Sequence, residues 1–100
     1  MDRLVAPPPG MTFGYLYLLQ SEKDQCFYLG STRNIQQRLK QHNAGSTVST
    51  RDRRPFKLIY YEVYESIGKA IAKEMKLKRN PNMYKYFKRR ALKHSRVDND

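Results

Sequence analysis

Phe13-Gly14-Tyr15-Leu16-Tyr17-Leu18-Leu19 is aromatic or apolar at every position except Gly14. Such a run, rich in strand-favouring side chains and too short for a buried helix, predicts a β-strand covered on both faces. Alternation puts Phe13, Tyr15, Tyr17 and Leu19 on one of those faces. Downstream, Gln20 to Gln25 is polar and of hairpin length, so Cys26 to Gly30 is expected to return as the antiparallel partner. In that partner Cys26, Tyr28 and Gly30 point one way, and Phe27 and Leu29 the other. Upstream, Met1 to Thr12 contains Pro7-Pro8-Pro9-Gly10, which can neither donate to a sheet nor continue a helix, and predicts a flexible arm.

The rest of the chain extends this hairpin. Asn34 with Gln37 three residues on is a helix start, and Gly45 a natural stop. Ser46 to Phe56 is a Ser/Thr- and Arg-rich loop, and Lys57 to Tyr64, rich in aromatic and β-branched residues, is a third strand. Ser66 can cap a second helix, whose apolar face is expected to be Ile67, Ala70, Ile71 and Met75. Pro81 ends that helix, Asn82 to Leu92 forms a last short one, and 94–100 is expected to fray. The prediction is one α/β domain over residues 13–93, a three-stranded antiparallel sheet flanked by helices, with no repeat and no second domain.

Bulk composition narrows the function. One hundred residues make a single modest core. A lone cysteine, Cys26, read as a small strand residue, excludes an internal disulfide, and two histidines without a cysteine cluster exclude a structural zinc site. No apolar run spans a membrane and no signal peptide is visible, so a cytoplasmic protein is expected. Twenty Lys+Arg against nine Asp+Glu give a net charge of +11, interleaved with eight tyrosines. Charge at this density favours a polyanion partner, because each phosphate neutralised releases counterions. The cations cluster at Arg51, Arg53 and Arg54 and again at Lys85, Lys88, Arg89, Arg90 and Lys93, which points to nucleic acid rather than general solubility.

Three polar groups sit where a helix made only for packing would not put them. With Ile35 at zero and ~100° per residue, Leu39 falls at about 40°, His42 at about −20° and Arg38 at about −60°. The imidazole and the guanidinium therefore border the stripe facing the sheet. On the second helix, with Ile67 at zero, Glu74 falls at about −20°, between Ala70 and Ile71. A buried carboxylate costs several kcal/mol unless a cation or metal compensates, roughly. The plain alternative is an i,i+4 pair with Lys78.

Tyr15-Leu16-Tyr17, Tyr28-Leu29-Gly30, Arg38, His42 and Glu74, in this order, resemble the GIY-YIG nuclease superfamily, most closely its small stand-alone bacterial members. The resemblance spans about residues 12–78. It implies a divalent-metal-dependent endonuclease using one Mg²⁺ or Mn²⁺, acting on phosphodiester bonds of structured or single-stranded DNA with weak sequence preference, in repair or recombination. By position, Tyr17 and Tyr28 resemble the two motif tyrosines, Arg38 the phosphate-neutralising arginine, His42 the histidine of a subset of members, and Glu74 the metal ligand. Leu16 replaces the isoleucine of the family name, and neither Asn80 nor Asn82 aligns securely with a late asparagine of many members.

These roles suit the residue types. A lone carboxylate can hold a hard cation whose other positions are filled by water, and a guanidinium can clamp two phosphate oxygens. Either Tyr28, if nearby cations lower its pKa, or His42, directly or by relay from a tyrosine, can take the proton from water. Gly30 fits a place where backbone approaches substrate or helix, and Arg51, Arg53, Arg54, Lys85, Lys88 and Arg89 are candidates for contacts to the nucleic-acid backbone. A monomer or weak homodimer is expected. The rival reading is a non-catalytic DNA- or RNA-binding module on the same fold, for which a carboxylate in the polyanion site serves no purpose.

Overall fold

The computed structural model describes residues 13–95, so the expected N-terminal arm and the last five residues lie outside it. The order of elements is β1 (Gly14–Ser21), β2 (Phe27–Thr32), α1 (Ile35–Asn43), a 3-10 turn (Arg51–Arg53), β3 (Phe56–Tyr64), α2 (Ile67–Arg79) and α3 (Pro81–Lys93). The sheet is antiparallel with strand order β2-β1-β3, which places the opening apolar run at its centre.

Both faces of β1 are buried, as its composition requires. Leu16 and Leu18 join Leu29, Ile59, Leu77, Phe87 and Ala91 in the layer under α2 and α3. Tyr15, Tyr17 and Leu19 join Ile35, Phe56 and Leu58 in the layer under α1. The capping expectations hold: Asn34 and Ser66 accept from the backbone N–H groups of Gln37 and Lys69, satisfying donors that the first turns leave free. Pro81 stands at the start of α3, where its missing N–H costs nothing.

Several local expectations are corrected. Cys26 is exposed and precedes β2 rather than lying in it. The chain past α3 is anchored at its beginning, since the hydroxyl of Ser95 donates to the carbonyl of Ile59 at 2.9 Å. The inward face of α2 is only partly the one expected: Ala70 is buried, but with Leu77 in place of Ile71 and Met75, which are 41% and 46% exposed. The reason lies at Gly14. A Cβ there would meet the Cα of Ile67 at 2.5 Å and the carbonyl oxygen of Ser66 at 2.6 Å, so the start of α2 rests on the bare backbone of β1. That close approach fixes the roll of the helix and turns the row of positions 70, 74 and 77 toward the sheet.

Gly14→Ala is therefore expected to destabilise. Backbone cannot swing aside as a side chain can, and overpacking costs about 1–3 kcal/mol, or a drop of several degrees in Tm for a domain this small, roughly. Thermal melting followed by circular dichroism measures this; an unchanged Tm would show that the two backbones are not in contact.

Candidate active site

The hairpin, α1 and the loop after it meet around one histidine. His42, near the end of α1, exposes only 1% of its surface. Its Nε2 lies 3.2 Å from the hydroxyl of Tyr17 and its Nδ1 2.8 Å from the hydroxyl of Thr50. The rings of Tyr28 and Phe56 stack against it edge-on or tilted, at 4.9 and 5.9 Å between centroids. The sequence placed His42 at the border of a buried stripe; the structure places it deeper, inside the layer.

Burial, aided by the nearby charge of Arg38, holds His42 below the usual histidine range, so the ring is neutral at pH 7. Burial, with neighbouring Tyr28 adding to it, pushes the Tyr17 hydroxyl well above the usual tyrosine range, against the opposing charge and hydrogen bond of Arg38. Arg38 thus stands beside the Tyr17 hydroxyl, half-buried, with a long 3.4 Å bond to Gln41. Tyr28 is less buried than Tyr17 and lies toward the edge of the sheet, since β2 is an outer strand.

Gly30 explains how Tyr17 fits. The two residues are direct partners in the β1–β2 register. A Cβ at position 30 would fall on the end of the Tyr17 ring, 2.6 Å from its Cζ. Gly30 is buried and lies within β2, which continues to Thr32, so the group it admits is the Tyr17 ring. The expectation that Gly30 ends its strand is corrected accordingly.

Glu74 enters from the other layer. Its side chain is 17% exposed, and its two oxygens accept from the hydroxyl of Ser31 and from the ammonium of Lys78, each at 2.6 Å. The pairing with Lys78 that the sequence allowed is present, and Ser31 is a partner the sequence did not suggest. Glu74 is flanked along its helix by buried Ala70 and Leu77 rather than by Ala70 and Ile71. Lys78 also lies 5.9 Å from the centre of the Tyr28 ring, reaching from α2 to the outer strand. Tyr17, Tyr28, Arg38 and His42 therefore come together on the α1 side, and Glu74 stands on the α2 side of the same edge strand.

Among the described residues no group of three or more His, Cys, Asp or Glu could hold a metal ion. A single carboxylate suits Mg²⁺ or Mn²⁺ in the mode that keeps several waters and completes its shell with substrate oxygens. The donor set around Glu74 fits that mode: one oxygen is oriented by Ser31, and the other faces a cation that an ion can displace.

The basic candidates differ in how they are held. Arg53 is half-buried, donates to Asp24 at 3.0 Å, packs over Phe56 and accepts through its carbonyl from buried Ser21 at 2.6 Å. It ties the loop to the hairpin. Arg51 and Arg54 are exposed, each held by its Nε on a loop carbonyl. On α3, Lys88 lies over Tyr84 at 4.4 Å and Phe27 at 5.6 Å, while Lys85 and Arg89 are exposed. Asn80 caps the junction of α2 and α3 by donating to the carbonyl of Lys76, and Asn82 is exposed on α3.

Sequence reasoning missed Ser21, Ser31, Asn43 and Thr50. Asn43 pairs reciprocally with the backbone of Phe56, at 3.1 and 2.7 Å, and joins the end of α1 to the start of β3.

Comparison with known proteins agrees with this fold. The GIY-YIG catalytic domain family model matches residues 13–94. A UPF0213 protein of Clostridium perfringens is 39% identical over 66 residues, covering 65% of this chain and 70% of the relative. A UPF0213 protein of Syntrophus aciditrophicus is 35% identical over 71 residues, covering 69% and 80%. One from Haloquadratum walsbyi is 30% identical over 67 residues, covering 66% and 74%.

Proposed function

From the premise that the chain belongs to the GIY-YIG family of nucleases, we propose that it is a divalent-metal-dependent endonuclease that hydrolyses phosphodiester bonds in DNA. The substrates are structured or single-stranded DNA of weak sequence preference, as repair and recombination produce. The protein acts as a monomer or weak homodimer. One observation carries the reading: a buried hydroxyl–imidazole pair, Tyr17 with His42, and a carboxylate, Glu74, flank the same edge strand from opposite layers. Binding alone calls for neither.

A phosphate at the edge of β2 meets Arg38, whose forked donors neutralise two of its oxygens. Tyr28, the less buried tyrosine, orients the attacking water. The proton leaving that water enters the Tyr17–His42 pair, where the neutral imidazole has the basicity that a tyrosine well above its usual range lacks. Mg²⁺ or Mn²⁺ on Glu74, when bound, supplies stabilisation of negative charge on the leaving oxygen. Ser31 fixes the carboxylate, and Lys78 adds positive charge beside Tyr28. Arg51, Arg54, Lys85 and Arg89 are the exposed cations that would follow the backbone on either side, giving affinity without sequence information.

The test is incubation with supercoiled, single-stranded and branched DNA, with Mg²⁺ or Mn²⁺ and with chelator. Cleavage that needs the metal and stops on chelation is the expected result. Tight binding of all three DNAs without cleavage under either metal would replace the enzyme by the non-catalytic binding module.

A further inference from the structure

We infer that Thr50 is a positioning residue for the reaction proposed above: its hydroxyl accepts Nδ1–H of His42 and so holds Nε2 as the acceptor of the Tyr17 proton. The inference rests on that proposed function for its catalytic consequence and on hydrogen-bond geometry for its structural part.

Thr50 is fully buried in a loop whose other residues are exposed or half-exposed. Its hydroxyl lies 2.8 Å from Nδ1 of His42 and 3.4 Å from the carbonyl of Thr47. A neutral imidazole has one donor nitrogen and one acceptor nitrogen, so the chain of bonds can run in only two directions. In the first, Tyr17 donates to Nε2, Nδ1–H donates to Thr50, and the Thr50 hydroxyl donates onward to Thr47. Every proton in the chain then has an acceptor.

In the second direction, Thr50 donates to Nδ1 and Nε2–H donates to Tyr17. The Tyr17 proton then loses His42, the acceptor the structure gives it among the described residues. Tyr17 is 2% exposed, and a buried hydroxyl without an acceptor in the protein is costly. The first direction is favoured. It is also the one in which the imidazole lone pair points at the tyrosine that the proposed chemistry uses.

The loop is built to keep Thr50 in place. Its backbone N–H bonds to Thr47, and the next turn is fastened to the hairpin through Arg53 with Asp24 and Ser21 with the Arg53 carbonyl. The hairpin thus reaches round to hold the residue that orients the histidine on α1.

The experiment is ¹⁵N NMR of the His42 ring in the full chain, at neutral pH, for wild type, Thr50→Val and Thr50→Ser, with cleavage rates for each. The wild-type ring is expected to carry its proton on Nδ1. Thr50→Val, nearly isosteric, is expected to lose that preference and about ten- to a hundredfold in rate, less than the ~10⁴-fold lost when a buried carboxylate that orients a catalytic histidine is removed. Thr50→Ser, which keeps the hydroxyl, is expected to restore both. A merely structural threonine could lower stability without moving the ring proton. A wild-type proton on Nε2, or an active Thr50→Val whose tautomer and rate are unchanged, overturns the role of Thr50. A wild type that cleaves no DNA overturns the proposed function, and with it the catalytic consequence, while the ring spectrum still decides the tautomer.

Discussion

Glu74→Ala is expected to lower metal-dependent cleavage by about 10³-fold or more while the domain stays folded. Removing one preorganised electrostatic group from an active site typically costs 10²–10³-fold, roughly. Here the same carboxylate would also hold the ion, so both contributions go together. The effect on stability is expected within about 1 kcal/mol. Lys78, half-exposed, turns to water, and what is lost at Ser31 is offset by no longer keeping a carboxylate largely out of water. Mn²⁺ binding followed by electron paramagnetic resonance separates this from a general defect. Glu74→Ala should lose binding, whereas Lys78→Ala, which removes the cation now paired with the carboxylate, should bind Mn²⁺ more tightly. Equal cleavage by Glu74→Ala and wild type would remove Glu74 from the chemistry. Weaker Mn²⁺ binding by Lys78→Ala would show that Lys78 supports the ion rather than competing with it.

What made the fold readable was local. The central strand, both helix N-caps, Gly45 and Pro81 each act through a few neighbouring residues, and the structure follows them. Arg38, His42 and Glu74 were readable for a related reason: their spacing on the helices set polar groups against apolar faces, whereas Tyr17 and Tyr28 stood out only through the resemblance to the GIY-YIG family. What escaped depends on contacts between distant segments. Thr50 is one of several hydroxyl residues in a loop, and nothing within a few positions distinguishes the one that turns inward to His42. Ser21 is read as part of the polar hairpin connection until Arg53 is seen to fold back onto it. Ser31 becomes a partner of Glu74 only once α2 has settled over β2. That same docking, closed at Gly14, selected Ala70, Glu74 and Leu77 as the inward row and left Ile71 and Met75 in solvent. Amphipathicity alone placed Ala70 and Glu74 inward as well, but with Ile71 and Met75 beside them in place of Leu77.

Gly30→Ala is expected to reduce cleavage by about a hundredfold or more, the scale of losing a positioned acid–base group, through a clash inside the protein rather than with substrate. In a strand with free space the substitution should stabilise, since alanine restricts the unfolded chain by about 0.4–1 kcal/mol relative to glycine. At position 30 the new methyl meets the end of the Tyr17 ring, and that ring is enclosed by Tyr28 and His42. The hydroxyl must therefore leave Nε2 of His42, with an overpacking cost of about 1–3 kcal/mol. Tyr17→Phe removes the atom closest to the methyl, so the double variant Tyr17→Phe/Gly30→Ala is expected to be more stable than the sum of the single effects predicts. Neighbouring side chains that share a contact typically couple by about 0.5–3 kcal/mol. Denaturant unfolding of the four proteins measures the coupling, and additive effects would show that position 30 has room for a side chain. Cleavage should recover in none of them, because stability returns with the space whereas the proton relay needs the hydroxyl itself. A Gly30→Ala variant as active as wild type would mean that Tyr17 can hold His42 from another position, and the role of the glycine would revert to that of an ordinary strand residue.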